Sequence, residues 1–354
     1  MSTNRRGGRE LSYAQAIGEA IRQEMERDAG VFVYGLGVDD PKGMYGTTLD
    51  LHRVFGADRC FDTPLAEDAM TGFGVGAAIA GMRPIHVHQR MDFLMLCMNQ
   101  LVNMAAKQSY MSNGAVHVPL VVRAIIGRSW GQGAQHSQAF HSYFMHVPGL
   151  KVLAPSTPHD AKGCMIAAIR DDNPVIVMEH RMLYGNRGIV PEAPYAAPFG
   201  QARVLAEGDD VTIVAISHMV VEALRARPLL AEIGLSAEIV DPVSLAPLDV
   251  GTIAESVAKT GRLAVVDTSW AACGAGAEIV AAVHERLQGR RAFSALRLGY
   301  EPTPCPTTRP LEDVYYPSAK SIAAKVAGLA GRAPGDWQAR DIVAREIAEF
   351  RGPF

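Results

Sequence analysis

The sequence predicts an α/β protein of two doubly wound domains, each a mainly parallel sheet with helices on both faces. Three observations predict it. Short apolar runs alternate with longer amphipathic ones from Tyr13 to Met178, the pattern of strand–helix–strand units. That alternation stops at Pro191–Pro198, rich in proline and alanine, and restarts at Val211, as it does across a surface linker. The chain of 354 residues is also longer than one core usually serves. The expected divisions are a disordered N-terminus over 1–10, a first domain over 11–195, a linker over 196–208, a second domain over 209–330 and a helical tail over 331–354.

In order, Tyr13–Arg27 reads as a helix and Val31–Tyr34 as a strand. Arg59–Phe61 and Pro84–His88 are strands, with helices at Ala69–Ala80 and Phe93–Tyr110. Val118–Ala124 is a β-branched run ending in a glycine-rich loop; Lys151–Ala154 and Val175–Met178 are strands flanking the helix Pro158–Ile169. Beyond the linker, Val211–Ile216, Ala237–Val240, Leu263–Asp267 and a run ending near Leu298 are strands. Val220–Ile233, Gly274–Leu287 and Ser318–Leu329 are helices, and the prolines at 302, 304, 306 and 310 mark a surface segment.

A net charge of −3 with no basic cluster argues against a nucleic-acid partner. No apolar run reaches the ~18 residues that spanning a bilayer requires. Arg5, Arg6 and Arg9 are followed by no apolar stretch, so no secretory signal is read there and a cytoplasmic location is expected. Five scattered cysteines without a CxxC pair read as buried thiols of a reducing compartment.

Sites in open parallel sheets form at the carboxyl ends of strands, so the loops after Phe61, His88 and Ala124 are where chemistry is sought. Asp62-Thr63-Pro64-Leu65-Ala66-Glu67 opens a helix; on spacing alone, Glu67 fits better as an acid at the positive end of the macrodipole than as a catalytic group. Gly72-Phe73-Gly74-Val75-Gly76 lacks GxGxxG spacing and lies inside an apolar helical run, so it reads as a packing face between subunits. His86 and His88 share one face of a strand, without a third ligand at metal spacing. The loop Gly127–Gln138 carries Arg128, Ser129, Trp130, Gln132 and His136; the histidine is a candidate acid or base, with a surface loop histidine as the alternative. No GxSxG elbow and no GxxxxGK[ST] loop occur.

Taken in order, Asp62–Glu67, Gly72–Pro84, Asp92-Phe93, Asn99–Lys107, Gln135–Gln138, Pro148–Val152, Asp160–Gly163, Ile169–Pro174, Gly274–Glu278 and Pro302–Pro306 resemble one family. It is the β subunit of the decarboxylating component of 2-oxo acid dehydrogenases (pyruvate, branched-chain and acetoin types), within the transketolase-like thiamine-diphosphate enzymes. The resemblance runs from about Leu11 to about Leu329. It implies that Glu67 meets the ring nitrogen of the cofactor's aminopyrimidine, where a carboxyl group withdrawn from water shares a proton with the ring. Thiamine diphosphate then serves as electron sink for decarboxylation. Phe93 matches the aromatic that stacks on the pyrimidine, Leu65 and Gln89 match neighbouring contacts, and His136 matches the histidine facing substrate or lipoyl acceptor. In some relatives main-chain carbonyls hold potassium; the matching positions are Leu120, Ala168, Ile169, Asp171 and Asn173.

The GDG…N segment that binds the diphosphate through Mg²⁺ is absent, and Gly208-Asp209-Asp210 does not fit it. The resemblance therefore implies an α subunit that supplies this half, an α₂β₂ tetramer with β–β contact through the second domain, and a lipoyl acyltransferase as acceptor. The chain departs from the pattern in having Leu36-Gly37 where relatives carry an acidic pair, and in Gln89-Arg90-Met91, where they are apolar or small. Arg90, with Arg128 and Gln132, suits a polar or anionic substrate. A second reading is thus a split transketolase-like carboligase that moves a two-carbon or acyl unit onto an aldehyde or sugar.

Overall fold

The computed structural model of the chain describes residues 8–128 and 131–337. Residues 1–7 of the expected disordered terminus, Trp130 of the glycine-rich loop and 338–354 of the expected tail lie outside them. By their contacts the described residues form two compact units. The first holds the chain up to Ile126 together with Tyr143–Phe199; the second holds Gly127–Ser142 and the chain from Gly200 onward.

The first unit begins with strand β1, Gly8–Ser12, and helix α1, Tyr13–Arg27. Ser12 and Gln15 cap that helix reciprocally, each side chain accepting from the other's backbone N–H. Strand β2 is Val31–Gly35, helix α2 Leu51–Phe55, strand β3 Cys60–Phe61, helix α3 Glu67–Ile79 and strand β4 Arg83–His88. Helices α4 (Met91–Leu94) and α5 (Ala106–Met111) precede β5 (Val121–Ile126), and α6 is His141–Met145. Then come β6 (Lys151–Leu153), α7 (Pro158–Arg170), β7 (Val175–His180) and β8 (Arg187–Pro191). Within this unit the sheet runs β6-β7-β5-β4-β2-β3, parallel throughout. Both faces are covered, so the strands read as continuous apolar runs.

Burial on both faces leaves a central strand no place for an unpaired charge. Arg123 of β5 is fully buried and holds Glu179 of β7 through Nε and Nη2, at 2.6 and 2.8 Å. Nη2 also donates to the Thr47 hydroxyl at 2.7 Å, and Tyr184 donates to Glu179 at 2.9 Å.

Two expectations change here. Residues 8–10 are ordered, because β1 pairs antiparallel with β8, Glu10 opposite Ile189. The stretch expected as one helix over Phe93–Tyr110 changes pitch between α4 and α5, through a tight turn at Met95–Cys97 and a wider π-type stretch at Asn99–Ala105. Cys97, Leu101 and Ala105 are all buried. A spacing of four drifts off one face of a 3.6-residue helix; wider turns keep the three residues inward.

The second unit contains β9 (Arg203–Ala206), β10 (Val211–Ala215), α8 (Met219–Glu232), β11 (Ala237–Asp241), β12 (Ser244–Ala246) and α9 (Val250–Thr260). It continues with β13 (Arg262–Trp270), α10 (Ala275–Leu287), β14 (Ser294–Tyr300), α11 (Arg309–Tyr315) and α12 (Ala319–Leu329). Its sheet order is β14-β13-β10-β11-β9, with only β9 antiparallel. β9 lies inside the segment expected as linker. Helix α9, where the sequence reading assigns no element, is capped by Asp249, which accepts from Thr252 N at 3.0 Å, and is stopped by Gly261 at φ 67°. Helix α11 sits in the proline-marked segment, with Pro310 in its first turn, where a missing N–H costs nothing. Of the expected tail, 331–337 form no helix.

Candidate functional site

The parallel sheet of the first unit brings the loops after β3 and β4 to one end, on strands separated only by β2. Asp62 caps this corner, accepting from the backbone N–H of Gly37 at 2.8 Å and of Thr63 at 2.9 Å. After Thr63-Pro64, Leu65 is 75% exposed. Glu67 is the first residue of α3, half-buried, and its carboxylate forms no hydrogen bond or ion pair among the described residues. An acid at the head of a helix is favoured by the dipole. An unpaired one beside an exposed leucine is a surface shaped to receive a ligand with both a polar edge and an apolar face.

From β4, Gln89 is exposed and donates its amide to the Leu36 carbonyl at 3.0 Å. Phe93 is half-buried in α4, its backbone N–H held by the Arg90 carbonyl at 3.3 Å. The four residues matched to cofactor contacts therefore lie in one unit, at neighbouring strand ends. These residues fit an aminopyrimidine: a free carboxylate for its ring nitrogen, and Leu65 and Phe93 for its faces.

Beneath Glu67 lies a buried polar cluster. Thr71, one turn further along α3, has its hydroxyl 3.3 Å from His86 Nδ1 and 3.3 Å from His88 Nε2, and the two rings approach to 3.2 Å. His86 stacks on Tyr34 at 4.4 Å between centroids, and Tyr34 donates to the Met70 carbonyl. A side chain at Gly74 would collide with the Tyr34 hydroxyl, so this glycine serves packing inside the chain. Burial lowers the pKa of both histidines, that of His88 to about 4. Neutral in the folded chain, they take up protons at about 6.5 when unfolded. Between those values the unfolded state binds more protons, so stability falls as pH falls from about 6.5 towards 4. The Tm of the chain is expected to drop across this window, and His88→Leu to flatten the drop; an unchanged pH slope would contradict it.

The other matched residues lie elsewhere. His136 is half-buried in the loop that leaves β5 and belongs to the second unit, as do Arg128 and Gln132. Gly131 (φ 73°) and Gly133 (φ 69°) pack so closely on Thr307 that a Cβ at either would meet it within 2.7 Å. Arg128 pairs with Asp313 and with Glu312 at 3.8 Å and lies 4.9 Å over the Tyr316 ring. The glycines and Arg128 thus also anchor this loop to its own unit.

At the positions matched to a potassium site, Arg83 Nη1 donates to the carbonyls of Ile169 and Asp171 at 3.0 and 3.1 Å. The Leu120 carbonyl accepts from Val175 N at 3.0 Å and that of Ala168 from Asp171 N at 3.3 Å, while Asn173 N donates to the Asp171 side chain. An ion there would share these oxygens with an arginine. Sequence reasoning misses Arg83 because nothing local ties it to residues 86 and 88 positions away.

Comparison with known proteins points the same way as the geometry. The family model "Transketolase, pyrimidine binding domain" matches residues 9–187, and "Transketolase, C-terminal domain" matches 200–322. The β subunit of an acetoin:2,6-dichlorophenolindophenol oxidoreductase from Cupriavidus necator is 47% identical over 331 residues, covering 89% of this chain and 96% of that protein. The pyruvate dehydrogenase E1 component subunit beta of Rickettsia bellii is 44% identical over 274 residues, covering 77% and 84%. A mitochondrial counterpart from Arabidopsis thaliana is 40% identical over 320 residues, covering 89% and 88%. A solved structure described as a split-gene transketolase, inactive β4 tetramer, superposes with TM-score 0.73 over 91% of this chain and 98% of that one; at 23% identity this is a likeness of fold. The chain belongs to the family of β subunits of the thiamine-diphosphate-dependent E1 component of 2-oxo acid dehydrogenases, built from transketolase pyrimidine-binding and C-terminal domains.

Proposed function

We propose that this chain supplies the aminopyrimidine-binding half of a two-subunit enzyme that decarboxylates a 2-oxo acid and passes the acyl group to a lipoyl carrier, and that it is active only with an α subunit. The observation that carries the proposal is the half-buried Glu67 carboxylate, without a hydrogen-bond or ion-pair partner among the described residues, with Leu65 on the same loop and Phe93 after the neighbouring strand end. Thiamine diphosphate, when bound, supplies the electron sink for loss of carbon dioxide. With the cofactor bound, Glu67 would share a proton with its ring nitrogen, Leu65 and Phe93 would offer it apolar contact, and Gln89, fixed on Leu36, would offer a polar one. His136 donates or takes a proton at the acyl acceptor. Mg²⁺ and the diphosphate are the work of the α subunit.

The surface supports assembly. Phe73 and Ile79 of α3, with Leu96, Met104, Tyr110 and Met111 of the following helical run, are exposed apolar side chains. Such a concentration marks a protein–protein interface, in line with an α₂β₂ arrangement that includes a β–β contact. A relative with acetoin in its name and two with pyruvate dehydrogenase in theirs favour dehydrogenase chemistry over carboligation.

The test is co-expression with an α subunit of the same enzyme family, followed by thiamine-diphosphate-dependent decarboxylation assays on a panel of 2-oxo acids with an artificial electron acceptor. Activity is expected from the assembled pair and none from the isolated β chain. Tight cofactor binding by this chain alone would refute the split site.

A further inference from the structure

The end of β4 carries a buried cation that the chain leaves incomplete. Arg90 is 5% exposed, and neither of its Nη atoms has a hydrogen-bond partner among the described residues. The Tyr45 side chain is a hydrogen-bonding neighbour of the guanidinium, with Asp92 and Tyr184 within electrostatic range; burial works against the charge more strongly than these groups support it. Arg123 on the adjacent strand β5 differs in having a carboxylate of its own chain, with two bonds to Glu179 and one to Thr47. A guanidinium stays protonated in proteins, and leaving one buried without acceptors is costly. An oxyanion from outside the chain would complete it.

The position says where that anion belongs. Arg90 stands between Gln89 and Phe93, and its carbonyl holds the Phe93 N–H, so its place is fixed relative to the ring matched to the cofactor. The group now beside the guanidinium is the Tyr45 phenol, a neutral oxygen. Tyr45 sits at φ 50°, a conformation that disfavours an L side chain, and its ring leans on Tyr184 at 5.4 Å. An anionic oxygen in place of the phenol gains a planar two-pronged donor.

We infer that Arg90 selects the substrate: the enzyme takes a 2-oxo acid bearing a second anionic group, a carboxylate or phosphate, whose oxygens replace the Tyr45 phenol at the guanidinium. The inference rests on the proposed 2-oxo acid chemistry at this strand end.

The experiment uses the assembled αβ enzyme and three kinds of 2-oxo acid, with an alkyl, a carboxylate-bearing or a phosphate-bearing side chain. The wild type is expected to show a higher kcat/KM on one anionic kind than on the alkyl one, and which kind wins identifies the anion. Arg90→Ala is expected to reduce kcat/KM on that substrate roughly 10- to 100-fold more than on the alkyl one, the effect of losing a hydrogen bond to a charged group. Arg90→Lys, which keeps the charge and most of the volume, is expected to fall between. No preference in the wild type, or equal losses on all three substrates, overturns the inference while leaving the 2-oxo acid reading intact. An unchanged KM with weakened co-purification of the α subunit overturns it in favour of an acid on that subunit. Failure of the wild type on every 2-oxo acid overturns both.

Discussion

Glu67→Gln in the assembled αβ enzyme is expected to lower kcat by about 100-fold or more while Tm and subunit assembly stay unchanged. The substitution keeps the shape of the side chain and its place at the head of α3, and removes the exchangeable proton. Since the Glu67 carboxylate is engaged by nothing else among the described residues, its replacement breaks no contact of the fold. The half-buried position supports the same outcome, because a neutral amide there loses no charge pairing. Full turnover by the variant, measured by decarboxylation under saturating thiamine diphosphate, would remove Glu67 from the mechanism.

The second large effect concerns stability. Arg123→Met is expected to cost about 3–5 kcal/mol, a drop in Tm on the order of 10 °C. The damage comes less from the lost pair than from Glu179, left charged at the centre of the sheet with, among the described residues, Tyr184 alone donating to its carboxylate. Arg123→Met combined with Glu179→Met removes both charges and is expected to be milder than Arg123→Met alone. Thermal unfolding of the two variants, followed by circular dichroism, decides the point; a double variant as unstable as the single one would show that the pair acts through its hydrogen bonds to Thr47 and Tyr184 instead.

How much of this was readable in the sequence follows the range of the interactions. The central strands were, because a sheet buried on both faces writes itself as unbroken apolar runs, as at Val31–Gly35. So was the opening of α3, where Asp62–Glu67 keeps the family pattern. Partners far along the chain were not. Arg123 and Glu179 stand 56 residues apart, and inside an apolar run a lone arginine says nothing about what neutralises it. The loop Gly127–Gln138 was read for chemistry because it follows a strand's carboxyl end and carries polar side chains; the reason for its glycines was not legible, since Gly131 and Gly133 pack on Thr307, far along the chain. Helix α9 had both its capping aspartate and its closing glycine in plain view at Asp249 and Gly261; those signals needed only to be weighed. His86 and His88 were placed correctly on one face, but the hydroxyl that joins them comes from another element.

The antiparallel pair β1–β8 has a consequence for the order in which the chain can acquire its structure. Glu10 and Arg187, 177 residues apart, are bridged across it at 3.0 Å. On a ribosome this strand is synthesised well before β8 and must wait for nearly the whole first unit before its mate emerges. Until then its N–H and C=O groups are an open edge, the kind that recruits other chains. Closing so long a loop also loses entropy before any contact repays it. The clasp is therefore a late step of folding, and the nascent chain is most exposed to mispairing just before it closes.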